Sequence, residues 1–473
     1  MIRHGCERLW TRCRLAATVG RPGRQATTGI GRAIRCQYAV LEQRVRDEAF
    51  PTRSFTPENF LRHIVSGREE ASVVWCLDMS DAPSGVQAVH RLVKASAAAA
   101  QANVRMELGN EVYDPRQGPQ PGGFDDAHTY LEVAAPAMRA ARGAGAHVRT
   151  AAAIAPCPFY GCDWGPRYSA WNANISGACA GGRCPFDAVV AHNYIATLQF
   201  VESYDTDIAR LAALLMLPEV SLLHADESLR RGFPPGVRLW MTEYNLMCFA
   251  PAWDPKATGA ALSWCRRVEN SGAHAVFVAA SVLSGLVRPS TVELMNYHSL
   301  LNTAAHLSQP GFAILSVNGT NAQVSPVAQI LAHMATTIRA APQGLAGMPD
   351  LAPAERTDPN LEVLRRNALP CIQAASACSG NGAMALVLNR CNRTIALPTL
   401  AAAAAAACAS RLTPSISGAV SYSASYGIAT RTWAELPLNP TPPPPWDAPL
   451  QPAYTSGRSV EGHTFSFVHV AMR

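Results

Sequence analysis

Residues 104–111 read Val-Arg-Met-Glu-Leu-Gly-Asn-Glu, a short apolar-rich run that ends in a glycine, an amide and a carboxylate. The first five residues predict a β-strand, because such side chains fit the buried strands of a parallel sheet. Gly109 predicts the end of that strand. The carboxylate of Glu111 is therefore expected at the carboxyl end of the strand, where folds with parallel strands collect their reactive groups.

Strand-like and helix-like segments alternate on both sides of this run. The predicted strands cover residues 71–77, 147–154, 186–191, 237–241 and 273–280, and the predicted helices cover residues 86–102, 126–143 and 205–217. Such alternation indicates parallel βαβ units, which build either a doubly wound sheet or a barrel.

Two observations favour an α/β fold of the (β/α)8 TIM barrel type. Polar residues end four of the predicted strands, namely Asp78, Glu111, His192 and Glu243, and barrels of this class collect their sites at those ends. The doubly wound alternative commonly carries a dinucleotide-binding glycine motif. Gly29-Ile30-Gly31 follows no predicted strand and lacks the third glycine of that motif.

The predicted barrel is poorly represented at its N-terminus. Residues 1–56 contain a single candidate strand, residues 35–41, whereas two strands are required before the helix predicted to begin at Thr56 and Pro57. We therefore divide the chain into a basic leader or atypical start (1–56), a catalytic barrel (57–320) and a C-terminal domain (321–473).

The C-terminal domain has a different character from the barrel. A predicted helix over residues 324–340 is followed by predicted strands at 383–389 and 465–470, separated by segments rich in proline, serine and glycine. This pattern is typical of an antiparallel β-sandwich domain. The alanine run 401–407 and the proline tract 442–445 are interpreted as loop insertions.

The net charge of +6 comes from the first 50 residues, which hold ten arginines and four acidic residues. The rest of the chain is balanced, which argues against nucleic-acid binding, because that function needs a basic patch on the folded domain. The arginine-rich start is typical of organelle targeting segments and contains no apolar core of a secretory signal. No stretch reaches about 18 consecutive apolar residues, so no membrane span is predicted.

The cysteines and sequons suggest a secreted or wall-associated glycoprotein. The chain has 14 Cys and three glycosylation sequons, at Asn174, Asn318 and Asn392. Two C-x4-C pairs, Cys157/Cys162 and Cys179/Cys184, are open to a disulfide or free-thiol interpretation and to a four-thiolate zinc interpretation. The usual two-residue zinc spacing is absent, so disulfides in loops beside the barrel mouth are preferred, and no metal or other cofactor is predicted.

Glu111 and Glu243 are candidates for the pair of carboxyl groups that hydrolysis of a glycosidic bond requires. Retention requires two carboxyl groups about 5–5.5 Å apart, one protonated to assist the leaving oxygen and one ionised to attack the anomeric carbon. Glu111 follows the strand expected to be fourth in the barrel and Glu243 follows the one expected to be seventh. Both side chains are therefore expected over the same mouth.

The two motifs resemble those of clan A glycoside hydrolases. Residues 107–111, Glu-Leu-Gly-Asn-Glu, are similar to the clan's fourth-strand Asn-Glu motif, and residues 240–245, Trp-Met-Thr-Glu-Tyr-Asn, are similar to its seventh-strand nucleophile motif. Within the clan, α-L-arabinofuranosidases are most similar, followed by heparanase-type β-glucuronidases and β-xylosidases. The resemblance implies double displacement, with Glu111 as general acid/base, Glu243 as nucleophile and Asn110 bonded to the sugar 2-hydroxyl.

Further residues are expected to bind the substrate. His192 and Tyr194 match the His-x-Tyr that closes the clan's sixth strand, with the Tyr hydroxyl near the nucleophile; as alternatives, the histidine is structural and the tyrosine is part of the core. Trp164, Tyr168 and Trp171 present ring faces suited to stacking on a sugar. Their alternative role is to fix a long loop.

The sequence also departs from the clan pattern. The strand predicted over residues 273–280 ends in Ala279-Ala280-Ser281 and lacks the Trp or Gln that the resemblance implies.

The resemblance of the two glutamate motifs implies a glycosidase that acts on a plant or algal cell-wall type polysaccharide or glycoside and releases α-L-arabinofuranosyl units. The alternative is a catalytically inert carbohydrate-binding wall protein on a divergent barrel. The oligomeric state is not predicted.

Overall fold

The computed structural model describes much of the chain between residues 73 and 472, with gaps. The described residues are 73–79, 81–98, 103–115, 124–160, 165–196, 206–247, 263–265, 267–268, 271–298, 301–303, 315–318, 321–339, 341, 345–348, 369–379, 382–391, 394–408, 414–424, 434–437, 459–460 and 464–472. The leader 1–56, the helix start at Thr56 and Pro57, and Trp164 lie outside them.

Six parallel strands form one sheet that is curled into a half-barrel, in the order of the chain. They are β1 (Val74–Cys76), β2 (Val104–Leu108), β3 (Val148–Ala153), β4 (Ala188–Ala196), β5 (Arg238–Met247) and β6 (Val292–Tyr297). The register places Glu107 of β2 beside Cys76 of β1 and Ala151 of β3. These parallel strands with helices between them support the predicted barrel in part, as a half-barrel.

Helices connect consecutive strands of this sheet. They are α1 (Ala82–Ala98), α2 (Ala127–Ala144), α3 (Cys157–Tyr160), α4 (Pro166–Gly177), α5 (Asp207–Gly232) and α6 (Gly272–Leu286). Helix α2 begins where the carboxylate of Asp126 accepts a hydrogen bond from the backbone N–H of Thr129 at 2.8 Å. That bond lowers the pKa of Asp126.

The described chain divides into two compact units. The first comprises the described residues within 1–192, 224–242 and 290–294, and the second comprises those within 193–223, 243–289 and 295–473. Strands β4 and β5 contribute residues to both units.

A five-stranded antiparallel sheet dominates the C-terminal part of the second unit. Its order is β10 (Leu345–Gly347), β11 (Ile372–Ser379), β12 (Gly382–Asn389), β17 (Thr464–Met472) and β14 (Pro414–Ser423). Helix α8 (Leu397–Ala407) packs on it through Leu397, Leu400 and Ala404. Disulfides join Cys371 to Cys391 and Cys378 to Cys408.

Smaller elements complete the second unit. A four-stranded sheet has the order β15 (Ala434–Pro437), β9 (Asn321–Val324), β8 (Leu315–Asn318) and β7 (Leu301–Thr303), and its β7–β8 pair is parallel. Strands β13 (Ile395–Ala396) and β16 (Ser459–Val460) form a two-stranded ladder. Helix α7 (Pro326–Arg339) agrees with the helix predicted over 324–340.

The strand predicted over residues 273–280 is wrong, because this segment is helix α6. The hydroxyl of Ser271 caps the helix by accepting a hydrogen bond from the N–H of Ala273 at 3.2 Å. All residues from 272 to 281 are buried, so the apolar run has no period. A helix buried on every side cannot be told from a buried strand by pattern alone. The sixth strand, β6, follows it.

Two further helices differ from prediction. The alanine run 401–407, interpreted as a loop, lies in α8, as the high helix propensity of alanine favours. Helix α5, expected to stop before Pro218, continues through it to Gly232. Proline removes one helical N–H bond, and the cost is offset by burial of apolar side chains on both sides, Leu217 and Leu222 among them.

The cysteine pairs form disulfides where they are described. Cys179 is bonded to Cys184, and Cys157 is also disulfide-bonded. These sulfurs are therefore not the free thiolates that zinc ligation requires. Within the described ranges, no helix combines the length and apolar character that a membrane crossing needs.

Candidate active site

The end of strand β2 turns sharply to present Glu111. Gly109 adopts a φ of +90°, and a Cβ at this position would lie 2.5 Å from Cγ1 of Val112, so glycine alone fits the turn. Glu111 itself has a φ of 44°, the one positive value among the described non-glycine residues. A left-handed conformation costs a non-glycine residue about 1–3 kcal/mol and is concentrated at functional sites.

The carboxylate of Glu111 is held by two side chains. Nδ1 of His192 lies 2.9 Å from Oε1 of Glu111, and the hydroxyl of Tyr113 donates to the same oxygen at 3.5 Å. The Glu111 side chain is 14% exposed, whereas that of His192 is only 3% exposed. The Glu111 side chain thus keeps a small exposed fraction while it contacts a buried imidazole.

A second carboxylate lies on the other side of the same imidazole. Oε1 of Glu107 is 3.5 Å from Nε2 of His192, and both residues are buried. Glu107 belongs to the motif of residues 107–111, but the sequence predicts no role for it. A charged residue within a predicted buried strand is itself unusual. Arg105 and Glu107 alternate along β2, so both side chains project from the same face of the sheet.

Glu243 lies within strand β5 and accepts a hydrogen bond from the hydroxyl of Tyr194. Strands β4 and β5 extend past their predicted ends, at 191 and 241, so His192, Tyr194 and Glu243 lie inside strands and not after them. His192 and Tyr194 are two residues apart on β4, and their side chains therefore project from the same face. One strand thus carries a contact to each predicted catalytic carboxylate.

Asn245 supports the strand next to Glu243. It is fully buried, its Oδ1 lies 2.8 Å from Nε2 of His274, and its Nδ2 donates to the backbone oxygen of His298 at 2.5 Å. The ring of His298 in turn packs edge-on against Tyr194, with ring centroids 5.8 Å apart. Residues that are 29 and 53 positions apart from Asn245 therefore fix this end of β5, which no local sequence pattern indicates.

The remaining predicted binding residues have different positions. Asn110 is half-buried and directly precedes Glu111. Trp171 is buried on α4, and its Nε1 donates to the backbone oxygen of Ala153 at 3.0 Å. Trp171 is therefore a core residue, and the stacking role proposed for it is wrong. Tyr168 is half-buried on α4, edge-on to Tyr113 at 6.1 Å.

A half-buried ion cluster lies near the amino ends of the strands. Glu293, the second residue of β6, pairs with Arg149 and lies 3.4 Å from Nη2 of Arg105, while Nε1 of Trp240 donates to it at 3.1 Å. Burial acts to raise the pKa of Glu293, but the hydrogen bonds from Trp240 and Arg149 and the two arginine charges lower it. Charged groups at the amino ends of barrel strands usually serve stability.

Comparison with known proteins supports the fold. No family model and no curated protein matches the chain. Among solved structures, a family 51 α-L-arabinofuranosidase from Bifidobacterium longum is 14% identical, with a TM-score of 0.54 over 87% of this chain and 78% of its own. A likeness at this identity shows the fold alone.

Two other solved glycoside hydrolases align at lower scores. A family 86 β-porphyranase from Bacteroides plebeius is 10% identical over 89% of this chain and 68% of its own, with a TM-score of 0.45. A family 44 endoglucanase from Clostridium thermocellum is 11% identical over 81% and 70%, with a TM-score of 0.40. Scores this low carry no argument about this chain.

Proposed function

We propose that this chain is a retaining glycoside hydrolase in which Glu111 is the general acid/base and Glu243 is the nucleophile. The observation that carries the proposal is the pairing of both carboxylates with neighbours on β4, His192 with Glu111 and Tyr194 with Glu243. Glu111 also follows strand β2, at the end of the strands where this fold collects catalytic groups, and Glu243 lies in the C-terminal half of strand β5.

The two environments suit two different roles. Glu111 faces an imidazole, which accepts or donates a proton according to its own state, so Glu111 can be stabilised both protonated and ionised. Glu243 accepts a hydrogen bond from the hydroxyl of Tyr194. A donor of this kind stabilises the carboxylate form, which is the form that attacks.

The reaction proceeds in two displacements. In the first, an oxygen of Glu243 bonds to the anomeric carbon, the bond to the leaving oxygen breaks, and Glu111 gives its proton to that oxygen. In the second, Glu111 takes a proton from water, the water oxygen bonds to the anomeric carbon, and the bond to Glu243 breaks. The configuration is inverted twice and therefore retained.

The proposed substrate is a plant or algal cell-wall polysaccharide or glycoside that carries α-L-arabinofuranosyl units. The phrasing of the two motifs supports this class, and the neighbour with a TM-score of 0.54 is itself an α-L-arabinofuranosidase. In this assignment Asn110 bonds the sugar 2-hydroxyl beside the acid/base. No cofactor takes part.

We also propose that the protein acts outside the cell as a glycoprotein. Three disulfides are described, Cys179–Cys184, Cys371–Cys391 and Cys378–Cys408, and such bonds persist in oxidising compartments. Asn174, the first residue of one sequon, is exposed on α4.

The proposal is tested with nitrophenyl glycosides of α-L-arabinofuranose, β-xylose and β-glucuronic acid, and the first-formed anomer is identified by proton NMR. We expect turnover of the arabinofuranoside with retained configuration. If no glycoside is turned over while cell-wall polysaccharide is still bound, the protein is the inert carbohydrate-binding alternative.

A further inference from the structure

Glu107 is buried next to His192 and takes no direct part in either displacement. It is 4% exposed, and within the described part of the chain its Oε1 accepts no hydrogen bond. Nε2 of His192 is 3.5 Å from that oxygen, while Nδ1 of His192 is 2.9 Å from Oε1 of Glu111. The imidazole therefore lies between two carboxylates that are four residues apart in the chain.

The neighbouring hydroxyl does not serve Glu107. Tyr130 donates its hydroxyl proton to the backbone oxygen of Leu108 at 2.8 Å and accepts from the N–H of Ala153 at 3.1 Å. Burial raises the pKa of Tyr130, and the negative charge of Glu107 raises it further. Tyr130 is thus a neutral donor directed at Leu108 and not at Glu107, whereas Nε2 of His192 lies 3.5 Å from the Glu107 carboxylate.

A buried carboxylate oxygen without a donor destabilises the folded state, because the hydrogen bonds it made to water are not replaced. A small rotation of the ring would convert the 3.5 Å approach of Nε2 into a hydrogen bond, and catalytic hydrogen bonds often tighten in this way when substrate binds. The ring gains this bond only if Nε2 carries a proton. The carboxylate of Glu107 thus selects one tautomer of His192.

We propose that Glu107 is a positioning residue that keeps a proton on Nε2 of His192. Nδ1 of His192 is then available to accept a hydrogen bond from Glu111 when that carboxyl is protonated and to donate one when it is ionised. This inference rests on the proposed acid/base role of Glu111. When Glu111 is protonated, its carboxyl O–H donates a hydrogen bond to Nδ1 of the neutral ring. When Glu111 is ionised, the ring as imidazolium donates from Nδ1 and still donates to Glu107 from Nε2.

The opposite tautomer would hinder the first displacement. A neutral ring with its proton on Nδ1 directs a donor at Glu111 and so favours the ionised form of that carboxyl. An ionised Glu111 has no proton to give to the leaving oxygen. Glu107 does not need to touch the substrate for this effect, since it acts through His192.

The tautomer is measured directly in the full-length protein labelled with ¹⁵N at histidine. The His192 resonances are assigned by their loss in His192→Gln. We expect Nε2 to be protonated in the wild type and this form to decrease in Glu107→Met, which keeps the length of the side chain but removes the acceptor. A wild type with its neutral proton on Nδ1, or a tautomer unchanged in Glu107→Met, would overturn the proposal.

A kinetic test covers the case in which Glu107→Met does not fold. Glu107→Gln keeps the shape but weakens the acceptor. We expect this variant to hydrolyse an alkyl glycoside, whose leaving group needs a proton, roughly tenfold or more slowly than the wild type. Its hydrolysis of a nitrophenyl glycoside should be slowed much less. The matched control is Glu132→Gln, an exposed carboxylate on α2 that pairs only with His128 among the contacts described. Equal losses on both substrates would show a merely structural role and contradict the inference.

The two hypotheses fail in different ways. If the wild type turns over no glycoside, the proposed function fails, but the ¹⁵N measurement still decides whether Glu107 selects the tautomer. If turnover is present and Glu107→Gln leaves its leaving-group dependence unchanged, the positioning role fails and the assignment of Glu111 and Glu243 is unaffected.

Discussion

At the scale of single residues, the two predicted catalytic glutamates differ in their partners. Glu111 is in a left-handed conformation and contacts the imidazole of His192, and Glu243 accepts a hydrogen bond from the hydroxyl of Tyr194. Such pairs of carboxyl groups in unlike surroundings are how enzymes separate an acid from a nucleophile. The difference leads to unlike phenotypes when each side chain is removed.

We predict that Glu243→Ala loses nearly all turnover on every substrate, because no group remains to form the glycosyl-enzyme. Glu111→Ala should retain turnover of a nitrophenyl glycoside whose leaving group needs no proton, and azide should partly rescue it. The azide product is expected with retained configuration for Glu111→Ala and inverted configuration for Glu243→Ala, as read by proton NMR.

Circular dichroism of both variants controls for loss of the fold, and Glu132→Gln again controls for removal of a carboxylate. If both alanine variants match the wild type, neither glutamate is catalytic.

At the scale of secondary-structure elements, helix α8 shows how composition can mislead. Its alanine run has the appearance of a low-complexity insertion, yet Leu400, Ala401 and Ala404 pack on the five-stranded sheet. The disulfide Cys378–Cys408 connects the residue after the helix to strand β11. The helix is therefore part of the core of the second unit.

We predict that Ala402→Gly, at an exposed position inside α8, lowers the free energy of unfolding by about 1 kcal/mol, because glycine is less favourable than alanine in a helix interior. The buried Ala404→Gly should cost at least as much, since it also removes a packed methyl group. Urea denaturation followed by circular dichroism measures both. A change near zero for Ala402→Gly would show that the segment is not helical in solution.

At the scale of the whole molecule, a buried ion network joins elements of the second unit that are far apart in sequence. Glu219 of α5 pairs with the buried Arg390, which follows β12, and with Arg288 at 3.0 Å. Arg390 also donates to Gln373 of β11 at 2.7 Å. Burial of the Glu219 carboxyl acts to raise its pKa, but the charges of Arg390 and Arg288 and their hydrogen bonds lower it.

We predict that Glu219→Gln lowers the free energy of unfolding by about 3–5 kcal/mol at neutral pH, because it leaves the Arg390 charge buried without its partner. Since the folded-state pKa of Glu219 is lowered, its stabilising contribution is present above the unfolded pKa. It is lost as the pH falls through the folded value.

Melting temperatures from pH 7 down to pH 3 test this prediction. The difference between wild type and Glu219→Gln should shrink towards acid pH. Glu293 has a lowered pKa as well, but it is present in both proteins and cancels in the comparison. A difference that stays constant with pH would contradict an ionised Glu219.

We also predict that the carboxyl groups of Glu111 and Glu243 are about 5–5.5 Å apart, since a covalent intermediate needs that spacing. A crystal structure of the full chain measures it. A separation of about 6.5–9.5 Å would indicate inversion, and a larger one would remove the pair as a catalytic site.

Sequence alone determined the parts of the molecule that depend on neighbours along the chain. Strand β2 has its predicted bounds, and α2 and α7 begin and end within two residues of prediction, because caps, glycines and apolar periods are local signals. Contacts such as His192 to Glu111, 81 residues apart, were decided by the tertiary structure. Parallel strands bring distant chain segments side by side, and burial on every side removes the period that distinguishes α6 from a strand.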